Sequence, residues 1–291
     1  MRMILIHGIN QQGKSADKIK TEWLASLNDV YTKQGLNPLS KLSRIEAAFY
    51  GDTLEKLSSA KVKDQAIALG VEETSDDFED FALIALKEMA LRMGATEAQI
   101  EAEVAEVVVP QGAGPHKKWL KAIARVIETV SPLHGTLALR VLGQAHAYIR
   151  NQNIHDEVNK LVRPLFEDDE PVIIVSHSLG TIVAYSLLRE FAKNNRPRQS
   201  PLFVTLGSPL GIDSVRKGFA KPRVKPENVL RWVNGADPED FVALRPELTA
   251  STFGPGIENY PDIENGYSDP HSATQYLRDL RIAKVIAEAI A

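Results

Sequence analysis

Ser178 is the side chain best placed in this sequence to do covalent chemistry. It stands in Ser176-His177-Ser178-Leu179-Gly180, directly after the run Val172-Ile173-Ile174-Val175. An apolar stretch with Ile182, Val183, Tyr185, Leu187, Leu188 and Phe191 follows. Four consecutive β-branched residues read as a buried strand, and the stretch after Gly180 reads as a helix. A serine on the sharp turn between them is the G-x-S-x-G arrangement, with serine in the first glycine position. Such a turn lifts the hydroxyl above the sheet edge at the positive end of the next helix. Small residues at 176 and 180 let strand and helix pack closely around it. An inert serine in a buried turn is the plainer reading, and the flanking strand and helix argue against it.

A nucleophilic serine needs a general base, and the base needs an orienting carboxylate. On a strand–turn–helix serine the chain order is serine, acid, histidine. The chain has 7 histidines. His116, His134, His146 and His155 precede Ser178 and fall in a helical stretch or at its exit. His177 is locked inside the turn, pointing elsewhere, and His7 suits a loop brace. His271 remains, in Tyr267-Ser268-Asp269-Pro270-His271-Ser272, just before the last expected helix. The acid should follow the strand Val229–Val233, where Asp237, Glu239 and Asp240 are available. Asp237-Pro238 suits a turn in which the carboxylate binds local backbone. Asp240 precedes the apolar pair Phe241-Val242, which can anchor the loop. Asp240 is preferred, and Asp237 stays open as the alternative. Acyl transfer also needs two fixed N–H donors for the oxyanion. Leu179 would supply one; the second is assigned to Ile9, after His7-Gly8, with Asn10 as the fallback.

A different chemistry claims the same front loop. Gly8-Ile9-Asn10-Gln11-Gln12-Gly13-Lys14-Ser15 matches G-x-x-x-x-G-K-[ST] and lies between a strand and a helix, the context of a phosphate-binding P-loop. Lys14 would then reach a terminal phosphate and Ser15 a magnesium ion. The metal would also need a carboxylate at a strand end, and Asp52 is the best candidate.

The elements that must position these groups alternate at the two ends of the chain. Strands are expected over Met1–Ile6, Arg44–Tyr50, Val172–Val175, Leu202–Leu206 and Val229–Val233. Helices are expected over Ser15 to about Gln34, after Ser178, and from about Ala273. Strands separated by helices imply a mostly parallel sheet covered on both faces. Residues 53–151 carry few strand signals. One helix should begin near Thr74 or Ser75, and another at the capping box Thr96-x-x-Gln99. The cluster Pro110–Pro115 is a breaker, and two helices around Trp119–Val130 and Leu137–Tyr148 follow. The helix Ile154–Leu165 then leads back to the Ser178 strand. The expected organisation is an α/β core of residues 1–52 and 152–291 with a helical cap at 53–151.

Composition allows one enzyme-sized unit: 291 residues, 44% hydrophobic and a net charge of −4. The mild acidity gives no electrostatic case for nucleic acid. Cysteine is absent, which removes thiolate metal sites and cysteine nucleophiles and fits a reducing, cytoplasmic setting. Neither a cofactor nor a metal is expected, and no segment reaches the length of a membrane helix.

Taken together, the motifs resemble serine hydrolases of the α/β-hydrolase superfamily, closest to the lipase and esterase branch. The resemblance rests on His7-Gly8, Ser176–Gly180, Thr205-Leu206-Gly207-Ser208-Pro209, Trp232-x-Asn234, Asp240-x-Val242 and Pro270-His271-Ser272. It implies an α/β-hydrolase fold, a triad of Ser178, Asp240 and His271, and oxyanion donors at Leu179 and Ile9. The implied substrate is a small-molecule or lipid ester. Two departures are a serine at 176 and a sheet that opens directly with the His-Gly strand, which implies a small sheet. Phe78, Phe81, Met89, Met93, Trp119 and Tyr148 would line an acyl-binding lid or simply pack the cap.

Overall fold

The computed structural model describes residues 1–66, 76–109, 115–130, 134–194, 200–266 and 269–291. The expected helix start at Thr74 or Ser75, the breaker at 110–114 and Tyr267-Ser268 lie outside them. The chain divides into two compact units. The first is Met1–Asp52, Glu157–Gly211 and Ala220–Ala291; the second is Thr53–Asp156 with Ile212–Phe219.

The first unit is built on a six-stranded sheet, β1 (Arg2–Ile6), β2 (Ile45–Ala48), β3 (Val172–His177), β4 (Ser200–Leu206), β5 (Val229–Gly235) and β6 (Glu258–Tyr260). The order is β2-β1-β3-β4-β5-β6 and every pairing is parallel. Alternate residues of a strand face opposite sides, so each strand feeds two cores. Met3, Leu5, Ile173, Val175, Leu202, Val204 and Val233 bury one face under α1 (Ala16–Lys33) and α11 (Leu280–Ile290). Tyr31 Oη ties these two helices by donating to the Ala283 carbonyl at 2.9 Å. On the other face α8 (Leu179–Lys193) packs on β3 and β1, and Tyr185 of α8 lies 5.2 Å from Trp232 of β5.

The second unit is helical. Following α2 (Gly51–Ala66), which enters it, come α3 (Asp76–Arg92), α4 (Glu97–Glu106), α5 (Pro115–Val130) and α6 (His134–Arg150), and the short α9 (Asp213–Lys217) packs on α3 and α6. The Thr96 capping box has both arms: Gln99 N–H donates to Thr96 Oγ1 at 3.2 Å, and Thr96 N–H to Gln99 Oε1 at 2.8 Å. Phe78, Phe81, Met89 and Tyr148 are buried, with Phe78 and Phe81 edge-on to His146. Met93 and Trp119 are half-buried.

Several elements differ from expectation, among them α2 and α9, which no expected helix covers. The last helical segment is split into α10 (Ala273–Tyr276) and α11, because Asp279 caps the amides of Arg281 and Ile282 and restarts the helix. Strand β6 has three residues, too few to show a period in sequence. The returning helix, α7 (Gln152–Val162), stops before Arg163-Pro164.

Candidate active site

Because all strands run the same way, their carboxyl ends share one edge of the sheet. From β1 the chain goes first to β2 on one side and then to β3 on the other. That reversal makes the ends of β1 and β3 a topological switch point, the place where open parallel sheets bind ligands. His7-Gly8 follows β1 and Ser178 follows β3, so both lie at this point.

Ser178 has φ 53° and ψ −130°, a left-handed conformation that a non-glycine residue adopts only under strain. The turn is held from several sides. Ser178 N–H donates to the Leu206 carbonyl at 3.0 Å, and Thr181 N–H and Oγ1 donate to the Ser178 carbonyl at 2.9 and 2.7 Å. A Cβ on Gly180 would lie 2.3 Å from the Ile6 carbonyl oxygen, so a side chain there would force α8 off β1. Ser176 is accommodated because its Oγ donates to the Val204 carbonyl on the next strand, at 2.8 Å.

The structure brings Ser178, His271 and Asp240 into one line. Ser178 Oγ lies 2.9 Å from His271 Nε2, and His271 Nδ1 lies 2.8 Å from Asp240 Oδ2. The partners assign the tautomer: Nδ1 carries the proton toward the carboxylate and Nε2 is left to accept from the serine. Asp240 Oδ2 also accepts from Tyr276 Oη at 2.7 Å, and Oδ1 accepts the amides of Val242 and Ala243 at 2.9 and 3.3 Å. Burial acts to raise the Asp240 pKa, but the His271 charge and these donors overcome it and hold the carboxyl below its ordinary value. Burial, then the Asp240 charge, pushes the Tyr276 phenol well above its ordinary value, so it stays a donor.

Asp237 sits in the same loop with another task. Its Oδ1 accepts Glu239 N–H at 2.7 Å and its Oδ2 accepts Asn265 N–H at 2.6 Å. It therefore braces the loop, while Asp240 faces the histidine. The acid loop is anchored below by Asn234, whose Nδ2 donates to the Pro246 carbonyl at 2.9 Å and whose Oδ1 lies 3.0 Å from Thr205 Oγ1. Trp232 Nε1 donates to that same Thr205 oxygen at 3.1 Å, which accounts for the Trp232-x-Asn234 pair.

Three further residues shape the site without having been singled out for it. Tyr276 donates to the acid. Gly207, at φ +55°, passes so close that a Cβ would lie 2.8 Å from Asp240 Oδ2 and 3.1 Å from His271 Nδ1. Asn265 Nδ2 donates to the Pro270 carbonyl at 2.6 Å, holding the backbone ahead of His271. The only advance signal was the Leu206-Gly207-Ser208-Pro209 turn after a buried strand.

The front loop is braced by His7. Tyr50 N–H donates to His7 Nε2 at 3.2 Å, so His7 Nδ1 donates to the Gly8 carbonyl at 2.6 Å. Burial pulls this imidazole down to about 4, keeping it neutral. Gly8 lies against the serine: a Cβ there would stand 2.5 Å from Ser178 Cβ. The amide of Ile9 follows immediately, and that of Leu179 begins α8, where helix geometry gives it no internal partner. The groups that would serve a nucleotide are engaged elsewhere. Lys14 Nζ pairs with Glu22 at 2.7 Å, Ser15 Oγ caps α1 by accepting Lys18 N–H at 3.2 Å, and Asp52 accepts Gly13 N–H at 2.7 Å.

Among the described residues no cluster of histidine, aspartate and glutamate suits a metal ion, and no helix is long and apolar enough to cross a membrane. No protein-family model, curated protein or solved structure matches the chain.

Proposed function

We propose that the chain is a serine hydrolase of the α/β-hydrolase type that cleaves a carboxylic ester. One observation carries this reading: the continuous hydrogen-bonded line Asp240–His271–Ser178, at 2.8 and 2.9 Å, ending on a strained serine at the switch point of a parallel sheet. A strained turn and a buried carboxylate hydrogen-bonded to a nearly buried histidine are costly unless chemistry uses them. The strand order, with the serine strand between the His-Gly strand and β4, supports the same family.

In this mechanism Ser178 Oγ attacks the ester carbonyl while His271 Nε2 takes its proton. The oxyanion is held by the amides of Leu179 and Ile9. The intermediate collapses as His271 returns the proton to the leaving alcohol, giving an acyl-serine. Water then attacks, with His271 as base, and the acid is released. Asp240 keeps the proton on Nδ1 and balances the imidazolium that forms.

A fluorophosphonate probe together with p-nitrophenyl esters of graded chain length tests the reading. The wild type should be labelled covalently and hydrolyse at least part of the ester series, and Ser178→Ala should do neither while keeping its fold. An unlabelled wild type, or a labelled Ser178→Ala protein, would overturn it.

A further inference from the structure

His177 is adjacent to the nucleophile in sequence, is 8% exposed, and has no part in the proton path just described. Its Nε2 lies 2.8 Å from the backbone carbonyl of His271, and the two imidazole rings are 4.6 Å apart between centroids. A carbonyl oxygen only accepts, so Nε2 carries a proton and donates. Trp23 of α1 meets the same ring edge-on at 6.4 Å. Peptide bonds and hydrogen bonds thereby close a small circuit: Ser178 to His177, His177 Nε2–H to the His271 carbonyl, and His271 Nε2 back to Ser178 Oγ.

We infer that His177 is a positioning residue that fixes the base relative to the nucleophile by clamping the His271 backbone to the serine turn. This rests on the hydrolase reading and deepens it. The need for a clamp follows from topology. Ser178 and His271 are 93 residues apart in the chain, and His271 stands on a loop, not on the sheet. Asn265 holds the Pro270 carbonyl at 2.6 Å, but Asn265 belongs to the same run of chain after β6 as His271. The His177 bond ties that loop directly to β3. A neutral ring suits the task, because a charged one would oppose the imidazolium forming beside it. Burial, then the neighbouring His271, pulls His177 down to about 3, so the donor is neutral near neutral pH.

The test compares His177→Gln, whose terminal amide keeps a donor at similar reach, with His177→Met, which has similar bulk and no donor. His177→Phe, which keeps a ring against His271, replaces the Met variant should that fail to fold by circular dichroism. Fluorophosphonate labelling rates and p-nitrophenyl ester kinetics are measured for each, beside wild type and Ser178→Ala. A misplacement of about 1 Å at a reacting pair costs roughly 10²-fold, so kcat and the labelling rate of the donorless variant should fall by about that factor with KM within twofold. Glutamine should recover at least tenfold of the loss. A folded donorless variant that labels as fast as a labelled wild type overturns this inference and leaves the hydrolase reading standing. A glutamine variant as slow as the Met variant does the same, because the hydrogen bond is then not the cause. An unlabelled wild type overturns both.

Discussion

Asp237 and Asp240 show how much rests on which way one carboxylate turns. Both are buried in one loop and both accept hydrogen bonds from backbone amides. Only Asp240 also accepts from His271, and it shares that oxygen with Tyr276. Asp240→Asn would offer an amide to the histidine and favour the wrong tautomer, so kcat should fall roughly 10⁴-fold with the fold intact. His271→Ala removes the base and should cost at least as much. Asp237→Asn keeps most of the loop's acceptors and should stay within about tenfold of wild type while lowering the melting temperature, since a buried hydrogen bond is worth about 1 kcal/mol. The check is ester kinetics beside thermal melts for all three. A dead Asp237→Asn with a near-normal Asp240→Asn would reverse the assignment. From sequence alone the two aspartates differ only in their neighbours, a proline against an apolar pair. Which one meets a histidine 31 residues away is decided by how the loops after β5 and β6 are held together.

At the scale of elements, the loop between β1 and α1 carries two patterns in one stretch of chain. Its spacing satisfies a phosphate-binding motif, yet its side chains are used to start a helix. Ser15 is the N-cap, and Lys14 reaches along α1 to Glu22 instead of over the loop. The Lys14–Glu22 pair is partly exposed and worth little. Lys14→Ala should therefore leave ester hydrolysis within a few-fold of wild type. ATP or GTP with Mg²⁺ should not raise the melting temperature, because a ligand without affinity for the folded state cannot stabilise it. A thermal-shift titration of wild type and Lys14→Ala decides the matter, and a saturable, Lys14-dependent rise would restore the nucleotide reading. The strand–turn–helix around Ser178 was legible because its signals are local: a β-branched run, small residues and an apolar helix. β6 and the break before α11 were not, since three residues carry no period and a capping aspartate looks like any other.

Over the whole molecule, two buried neutral histidines couple stability to pH. His7 is held at about 4 and His177 at about 3, both by burial first, against about 6.5 for a histidine in an unfolded chain. Between these values the unfolded chain binds protons that the native protein refuses, so stability rises with pH up to about 6.5 and is fully present above it. Acidification from about pH 6.5 toward pH 4 should lower unfolding free energy by up to about 1.4 kcal/mol per pH unit for each histidine. Urea unfolding at pH 7 and pH 5 measures this, and His177→Gln should shrink the difference; an unchanged pH dependence would show that this histidine is not buried neutral. The sequence by itself determined the alternation of strands and helices at the two ends, the helical middle, the serine turn and a short list of partners for it. These follow from periodicity, capping and turn chemistry, which act over a few residues. The tertiary structure alone decided the strand order that puts the switch point between β1 and β3. It also set Asp240, not Asp237, against His271, gathered Tyr276, Asn265 and His177 around that pair, and turned Lys14 away from the loop. The physical reason is that those contacts join residues tens of positions apart, and no local pattern records which pair will meet once the sheet is assembled.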